Sequence, residues 1–390
     1  MSCLLVKNGK IIANGTIRKG DVLIRGHEIV DDDFSGELPV GCEVLDAGGQ
    51  YVSPGFIDIH VHGGAGYDIM DCTEEAFCEI AKIHLKNGAT TIVPTAVSAD
   101  MESTFRMIEV CKKAAEKCPS IYGLHLEGPY ISVNQKGAHK EKYLHAPTAE
   151  ETKRLLEVGK GIVRRITAAC ELPNMKEFAQ TMKENGIALS LGHSDATADI
   201  ALEAFDWGFS HVTHLYSATP SVRKINQVVL AGVIEAAYLN DDVTVELIAD
   251  GKHAAVHALQ LALKIKGADH IALVTDGLRP AGTDVAESYL GEKLPENRVI
   301  IEDGVAKVPD RSTFAGSIAT AGMVLKKGVT HYGLSLTDTV KMLSETPAKI
   351  LGIDKLGKIQ TGYVADLVLF DETYHISKVI KNGQVVAGDC

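Results

Sequence analysis

Two histidines stand two positions apart at the end of an apolar run, in the stretch "FIDIHVH" from Phe56 to His62. Side chains at positions i and i+2 of a β-strand point to the same face, so His60 and His62 would aim at one point. Two neutral imidazoles aimed at one point form half of a metal site. The alternative for this stretch alone is a pair of hydrogen-bonded polar residues at a strand end, so other residues must decide.

Ligand-type side chains also end most of the other short, β-branched runs in the middle of the chain. Six of eight such runs end in a histidine or an acid, which is hard to attribute to chance and favours a shared site. These side chains are His60 and His62, Glu127, His193, His214, Asp250 with His253 three residues later, and Asp276. Imidazoles and carboxylates without cysteine suit a catalytic ion better than a structural zinc. We therefore expect one or two divalent ions, Zn or Fe, with Mn, Co or Ni as alternatives.

An open catalytic metal site keeps a position for water, whose pKa falls from about 15.7 to about 7 on the ion. A nearby carboxylate can take the proton of that water and pass it to a leaving group. Asp276 is the candidate for this general base and acid. The alternative role for Asp276 is to cap a helix that begins at "GLRPAG".

The elements that must position these residues alternate between strand and helix patterns. The strand runs are "GFIDIHVH", "ATTIVPT", "IYGLHLE", "IVRRITAAC", "GIALSLGH", "GFSHVTH", "VTVELIAD" and "HIALVTD". Helix signals lie between them: an amphipathic pattern from Thr73 to Lys86, a capping box at Thr148 and Glu151, and a similar start at Asn174. This alternation predicts an α/β fold, a (β/α)8 barrel of the TIM type, with its chemistry at the C-terminal strand ends. A doubly wound sheet is the alternative, but no G-x-G-x-x-G follows the first run.

Both ends of the chain read as short strands separated by turn pairs such as Asn8-Gly9 and Asn382-Gly383. Two β-rich ends around a long middle predict one small β-sandwich domain assembled from both termini. The expected division is residues 1–53 and 357–390 for this domain and residues 54–356 for the hydrolase barrel.

Composition and charge limit the partners and the cellular location that we expect for this chain. The 390 residues carry a net charge of −12, which makes nucleic acid or an anionic membrane surface an unfavourable partner. The apolar run "VVLAGVIEAAYL" is too short to span a bilayer and contains Glu235. No signal peptide pattern opens the chain, so a cytoplasmic location is expected. The cysteines form no C-x-x-C pair and are expected to be free and reduced.

Several motifs together resemble one known family. "PGFIDIHVHGG", "GLHLEGPYIS", "KGAH", "LGHSDA", "THLYSA", "IADGKH", "VTDG" and "FAGS" resemble the N-acetylglucosamine-6-phosphate deacetylases of the amidohydrolase superfamily, in order and spacing, over nearly the whole chain. "HLEGP" followed by "GHS" and "THL" is quite specific to that family. The H-x-H pair alone would fit any amidohydrolase.

The resemblance implies a role for each matching residue. Glu127, His193 and His214 would hold the principal metal, and His60 and His62 would complete a second metal site. Asp276 corresponds to the general acid and base. The implied substrate contacts are Ala138, His139, Ser217, Ala218, His253, Phe314, Ala315, Gly316 and Ser317. The family also implies a homodimer.

Two departures from the family pattern lie after His214. The family usually reads T-H-L-[YF]-N-A-M, and this chain has Ser217 and Thr219 at the Asn and Met positions. An R-E-P-G-like stretch whose arginine reaches the sugar phosphate is replaced by "TPSVRKINQVVLAG". Arg223 or Lys224 is expected to substitute, with Arg223 reaching the phosphate across a dimer interface.

The expected activity is metal-dependent deacetylation of an N-acetyl amino-sugar 6-phosphate, foremost N-acetylglucosamine 6-phosphate. N-acetylgalactosamine 6-phosphate is an alternative substrate. His139 or His253 would stabilise the oxyanion. A cyclic-amide hydrolase or deaminase is a rival, which a carboxylated lysine on the fourth strand would favour, but "IVRRITAAC" ends without one. A catalytically silent sugar-phosphate sensor is the other rival, and the intact Asp276 and ligand set argue against it.

Overall fold

The computed structural model describes residues 2–291, 293–311 and 314–388. The chain opens with five strands: β1 (Cys3–Ala13), β2 (Thr16–Arg25), β3 (Glu28–Asp31), β4 (Glu43–Asp46) and β5 (Tyr51–Pro54). The predicted turn at Asn8-Gly9 is wrong, because both residues lie inside β1, where the pairing with β2 shifts register between Val6 and Gly9. The chain turns instead at Asn14 and Gly15, whose φ values of 49° and 71° suit a tight hairpin.

The middle of the chain alternates strands and helices as the sequence predicts. Its strands are β6 (Phe56–Val61), β7 (Gly63–Gly64), β8 (Tyr67–Asp68), β9 (Ala89–Val97), β10 (Leu124–Glu127), β11 (Val163–Ala168), β12 (Ala188–Leu191), β13 (Phe209–Val212), β14 (Arg223–Ile225), β15 (Val228–Leu230), β16 (Thr244–Ile248) and β17 (Ile271–Val274). Its helices are α1 (Glu74–Lys86), α2 (Met101–Lys117), α3 (Ala149–Gly159), α4 (Met175–Glu184), α5 (Ala198–Trp207), α6 (Val233–Leu239) and α7 (Val256–Lys266).

Eight parallel strands form the barrel in the order β17-β16-β13-β12-β11-β10-β9-β6. Each corresponds to one of the predicted runs. The ring closes beyond the strand ends, where the backbone N–H of His62 donates to the carbonyl of Gly277 at 2.9 Å. Every residue of β6 is buried, because helices cover the outer face while side chains fill the inside. The predicted barrel is therefore confirmed.

Helix starts follow their sequence signals in two of three cases. The Thr73 hydroxyl accepts the N–H of Ala76 at the start of α1, and Thr148 and Glu151 form the expected capping box on α3. Asn174 does precede α4, but its side chain makes no cap. It lies in the left-handed region at φ 64° and donates to the carbonyl of Pro147 at 3.0 Å instead. The start of α4 was predicted correctly, but the predicted capping by the Asn174 side chain was wrong.

An antiparallel sheet that the sequence did not predict lies between β17 and the next helix. It consists of β18 (Glu287–Tyr289), β19 (Arg298–Glu302), β20 (Val305–Lys307) and β21 (Phe314–Ser317). The chain then continues with α8 (Ala321–Thr330), α9 (Leu336–Leu343) and α10 (Glu345–Ile350). Because β21 carries the "FAGS" motif, this sheet brings that segment to the mouth of the barrel.

The last strands return to the first ones. These are β22 (Leu367–Phe370), β23 (Ile376–Lys381) and β24 (Gln384–Gly388), which extend the first sheet in the order β24-β23-β22-β5-β1-β2-β3, with β4 beside β1. Asn382 and Gly383 form the predicted turn, with φ values of 50° and 75°. Val6, Val52 and Leu367 are wholly buried in the core of this domain. The prediction of a β-domain from both termini is confirmed.

The structure bears on two expectations from composition, that the cysteines are free and that the chain has no membrane-spanning segment. Cys3 and Cys42 are joined by a disulfide, so the expectation of free cysteines is wrong for this pair. The free cysteines are Cys72, Cys78, Cys111, Cys118 and Cys170, and Cys390 lies outside the described residues. No helix in the described part of the chain is long and apolar enough to cross a membrane.

Candidate metal centre and active site

The C-terminal ends of the barrel strands open into one cavity of about 1100 Å³. The candidate ligands and catalytic acid that line it are His62, Glu127, His193, His214 and Asp276. His60 lies directly beside them and is completely buried. The candidate substrate contacts that line the cavity are Ala138, His139, Ser217, Ala218, His253, Phe314, Ala315 and Gly316. The structure thus gathers most of the sequence-predicted site residues.

Glu127, His193 and His214 point their donor atoms at one another. Glu127 Oε1 lies 3.2 Å from His193 Nε2 and 3.0 Å from His214 Nε2, and the two nitrogens are 3.0 Å apart. His193 Nδ1 lies 2.7 Å from the carbonyl oxygen of Gln135. A carbonyl can only accept, so Nδ1 carries the proton and Nε2 of the neutral ring presents a lone pair. A carboxylate with facing imidazole lone pairs fits a divalent ion such as Zn²⁺ or Fe²⁺.

His60 and His62 form a second donor group on the other side of Glu127. Their Nε2 atoms are 3.2 Å apart, and both Nδ1 atoms are occupied. His62 Nδ1 donates to the carbonyl of Thr95 at 3.1 Å, and His60 Nδ1 donates to Glu246 Oε1 at 2.6 Å. The two Nε2 atoms therefore bind one cation between them, either a proton or a metal ion. The residues present fit a second ion that shares Glu127.

Tight turns at the strand ends aim these side chains into the cavity. His193, His214 and Asp276 have φ values of 48°, 26° and 47°, in the left-handed region that non-glycine residues rarely adopt. Each such residue costs on the order of 1–3 kcal/mol and persists only where surrounding contacts hold it. The N–H of His214 donates to Glu246 Oε1 at 3.1 Å, and the N–H of Asp276 donates to the carbonyl of His60 at 2.9 Å. Strain of this kind concentrates at functional sites.

His139 differs from the other histidines in where its proton lies. The backbone N–H of Ser98 donates to His139 Nδ1 at 3.2 Å, so Nδ1 is an acceptor and Nε2 carries the proton of the neutral ring. Nε2 lies 3.6 Å from Glu127 Oε2. Burial lowers the pKa of His139 to about 4, in spite of the nearby Glu127 carboxylate. His139 is therefore a neutral hydrogen-bond donor beside the metal donors, although its position alone would also suit a ligand.

Asp250 holds His253 and favours its charged form. His253 Nδ1 lies 2.7 Å from Asp250 Oδ2, while Asp250 Oδ1 accepts the N–H groups of Lys252 and His253 at 2.8 and 2.9 Å. Burial disfavours the charged ring, but Asp250 outweighs this and raises the pKa of His253. Asp250, which sequence reasoning counted among the ligand-type strand ends, thus orients a substrate-side histidine.

Two predicted substrate contacts do not line the cavity of this chain. Ser317 is completely buried, and its hydroxyl accepts the N–H of Ala319 at 3.0 Å. Arg223 lies on β14, where its guanidinium contacts Asp195 Oδ1 at 3.0 Å and the Asp195 carbonyl at 2.6 Å. Ser317 thus makes a structural contact in this chain, and its contact with substrate stays a prediction of the sequence. The substrate contact of Arg223 likewise stays a prediction.

Cations that sequence reasoning missed line the same cavity. They are Arg106 on α2, Lys140 after "KGAH", and Arg298 on β19, which pairs with Glu287. With His253 they supply local positive charge in a chain of net charge −12. An anionic substrate needs such charge to bind.

A buried polar network under the metal donors was also missed. Glu246 on β16 and Arg165 on β11 are wholly buried and form an ion pair at 2.6 Å. Both stand inside apolar runs, "VTVELIAD" and "IVRRITAAC", and not at the strand ends. A charged residue in the middle of a barrel strand was the available signal, because a buried charge requires a partner.

Comparisons with known proteins agree with this geometry. Residues 51–386 match the model of the amidohydrolase family. The N-acetylglucosamine-6-phosphate deacetylase of Lysinibacillus sphaericus is 33% identical over 350 residues, covering 88% of each chain. The N-acetylgalactosamine-6-phosphate deacetylase of Shewanella sp. is 29% identical over 334 residues, covering 85% of this chain and 82% of that one.

A solved structure is similar over its whole length. The crystal structure of N-acetylglucosamine-6-phosphate deacetylase from Pasteurella multocida superposes with a TM-score of 0.91 at 29% identity, covering 99% of this chain and 100% of that chain. Identity and coverage at this level extend through both the barrel and the terminal sheet. The chain therefore belongs to the amidohydrolase family and, within it, to the N-acetylglucosamine-6-phosphate deacetylases.

Proposed function

We propose that this protein hydrolyses the acetamide of N-acetylglucosamine 6-phosphate to acetate and the amino-sugar phosphate. The observation that carries the proposal is the approach of Asp276 Oδ1 to within 3.1 Å of His62 Nε2, across the metal donors from the neutral donor His139. A general base and an oxyanion donor thus flank one point. N-acetylgalactosamine 6-phosphate is the second candidate substrate, because a relative of similar coverage bears that name.

The metal donors define the first part of the mechanism. Glu127, His193 and His214 would hold one divalent ion, and His60 and His62 a second, with Zn or Fe favoured and Mn, Co or Ni as alternatives. Such an ion, when bound, polarises the amide carbonyl and lowers the pKa of water. The tautomers set at His193 and His62 keep their lone pairs directed at that position.

Asp276 would move the proton. Burial favours its neutral acid, but the positive charge at the His60–His62 pair outweighs burial and lowers the pKa of Asp276. It therefore begins the cycle as a carboxylate that can accept a proton from water. The protonated Asp276 then lies beside the departing nitrogen and returns the proton to the amine.

His139 would stabilise the charge that develops on the carbonyl oxygen. Its Nε2–H is fixed in direction because Ser98 donates to the other ring nitrogen through both N–H and hydroxyl, at 3.2 and 2.8 Å. A preorganised donor of this kind loses no free energy to reorientation in the transition state. Of the two histidines considered from sequence, His139 suits this role, and His253 suits recognition of an anion.

The sugar phosphate would bind at the His253 side of the cavity, beside Ser217 and Ala218. Arg223 would reach it from the partner subunit of a homodimer. The hairpin of β14 and β15 that carries Arg223 supports this proposal, since Val222, Val228 and Val229 on it are 56%, 57% and 60% exposed. Apolar surface of this kind is typical of a surface that another chain covers. A cytoplasmic location stays a prediction of the sequence.

Acetate release from four sugars tests the function. We expect turnover of N-acetylglucosamine 6-phosphate to exceed that of the galactosamine and mannosamine 6-phosphate epimers and of unphosphorylated N-acetylglucosamine. Equal rates with and without phosphate would contradict phosphate recognition. A preference for the galactosamine epimer would favour the second candidate.

His139→Ala should keep the bound ions and lower kcat by about 10²- to 10³-fold, because only a transition-state donor is removed. His193→Ala is the matched control and should lower metal content itself. Elemental analysis together with acetate release measures both. If His139→Ala loses metal as His193→Ala does, His139 is a ligand and its assigned role is wrong.

Asp276→Asn should keep the fold and the ions but lose about 10²-fold or more in kcat, since an amide cannot accept a proton from water. Asp250→Asn is the control, because it releases His253 and should raise KM for phosphorylated sugar rather than lower kcat. Near-normal turnover of Asp276→Asn with full metal content would remove Asp276 from the mechanism.

Arg223→Ala should raise KM for the 6-phosphorylated sugar by about 10- to 100-fold and leave KM for the unphosphorylated sugar nearly unchanged, because a charge-assisted arginine–phosphate contact is lost. Lys224→Ala, the next residue on the same hairpin, controls for net charge. Sedimentation of both variants reports the oligomeric state. An unchanged KM in a dimeric Arg223→Ala protein would leave phosphate binding to the cations inside the cavity.

A further inference from the structure

We propose that Glu246, held by Arg165, is a positioning residue that keeps the proton on Nδ1 of His60 and thereby sets the metal affinity of the His60–His62 pair. This inference rests on the metal-dependent function proposed above. Glu246 is not one of the residues that line the cavity, and its side chain has no exposed surface. Its influence must therefore pass through the side chains it contacts.

The carboxylate of Glu246 accepts from three donors and faces a fourth polar atom. Oε1 accepts from His60 Nδ1 at 2.6 Å and from the N–H of His214 at 3.1 Å. Oε2 accepts from Arg165 Nη1 at 2.6 Å and faces His211 Nε2 at 3.3 Å. Two donors on Oε1 and the Arg165 guanidinium on Oε2 leave the group no freedom to rotate. The carboxylate is thus a fixed acceptor for His60.

Arg165 fixes the other side of Glu246. Its Nε donates to Ser190 Oγ at 2.7 Å, its Nη1 also reaches the carbonyl of Ile59 at 3.2 Å, and its Nη2 donates to Thr213 Oγ1 at 2.9 Å. These partners come from β12, from β6 and from the end of β13. Arg165 therefore spans the barrel interior, and its charge compensates the buried carboxylate.

The contact with Glu246 determines which groups His60 Nε2 can bind. With Nδ1–H committed to Glu246, Nε2 of the neutral ring presents a lone pair toward His62 Nε2 at 3.2 Å and Glu127 Oε1 at 3.5 Å. An outer carboxylate on a ligand histidine fixes its tautomer and raises its basicity, and loss of such a partner costs about 10- to 100-fold in metal affinity. Glu246 also accepts from the backbone N–H of His214. It therefore contacts one histidine of the His60–His62 pair and one of the Glu127–His193–His214 group.

Glu246→Gln separates this role from simple packing. A glutamine has the same shape but only one acceptor oxygen. Because Arg165 attracts that oxygen, the amide NH₂ would face His60 Nδ1 and force the proton onto Nε2. We expect Co²⁺ affinity at the His60–His62 pair to fall about 10- to 100-fold, with a smaller loss at the Glu127–His193–His214 group.

The measurement is competition of Co²⁺ between a chelator and the full-length metal-free protein, for wild type, Glu246→Gln and the same change in a His60→Asn/His62→Asn background. Near-UV circular dichroism verifies the fold of each variant, and ¹⁵N chemical shifts of the histidine rings report which nitrogen of His60 is protonated. In the His60→Asn/His62→Asn background, Glu246→Gln should have little effect on the remaining ion. Unchanged affinity for both ions, or an equal loss without His60, would overturn the inference.

The double variant Arg165→Met/Glu246→Gln tests the inference even if Glu246→Gln alone fails to fold. This pair removes both buried charges, so neither is left unpaired, and it frees the amide oxygen to accept from His60. Recovery of Co²⁺ affinity relative to Glu246→Gln supports the inference, and affinity as weak as that of Glu246→Gln overturns it. If the wild type binds no Co²⁺, the proposed function fails; if it binds and Glu246→Gln binds equally well, only the role of Glu246 fails.

Discussion

The site is organised around one buried carboxylate. Glu127 lies 3.0 Å from His214 Nε2 and 3.2 Å from His193 Nε2. The Nε2 atoms of His62, His60 and His139 follow at 3.4, 3.5 and 3.6 Å. A buried anion is costly unless positive charge compensates it. Because His193 and His62 direct lone pairs rather than protons toward Glu127, that positive charge must come from elsewhere, and a divalent ion satisfies carboxylate and nitrogens together.

Protons and metal ions compete for the same nitrogens in such a centre. Burial disfavours the charged form of His60, yet Glu246, Asp276 and Glu127 raise the pKa of His60 well above its ordinary value. Metal binding must displace that proton, so affinity falls as pH falls. The buried network beneath the site therefore has two tasks. It keeps Nδ1 of His60 occupied, and it supplies the negative charge that makes Nε2 attractive to any cation.

The parts of this fold that follow from local rules were predictable. Period-two geometry places His60 and His62 on one side of β6, and parallel strands bring their carboxyl ends together, so the gathering of Glu127, His193 and His214 required no tertiary information. The sheet of β18 to β21 was missed although the hairpin of β19 and β20 carries a sequence signal. Asp303-Gly304 stands between two short apolar runs, and its φ values of 55° and 77° suit a tight hairpin turn. The Asn8-Gly9 pair shows the limit of turn chemistry: the same φ preference serves a bulge inside β1.

The missed residues share a physical cause. Glu246 and Arg165 lie in the middle of apolar strands, the seventh and the fourth of the barrel in chain order. Only the closed barrel brings their opposite charges together beside His60 on the first strand. Their sequence signal was a charge where a buried strand admits none without a partner. Likewise, the Cys3–Cys42 bridge joins β1 to the segment before β4, a pairing that no spacing rule in the sequence specifies.

The hairpin that carries Arg223 is connected to the candidate metal ligand His193 through a chain of polar contacts. Arg223 holds Asp195, Asp195 Oδ1 accepts from Gln135 Nε2 at 3.1 Å, and the Gln135 carbonyl accepts from His193 Nδ1 at 2.7 Å. A change in the hairpin of β14 and β15 therefore reaches a metal ligand through three contacts. Release of Asp195 would loosen the loop that fixes the tautomer of His193, because the Gln135 carbonyl that accepts from His193 lies on that loop. Arg223 therefore has a role within its own chain, in holding Asp195, besides any contact across a subunit boundary.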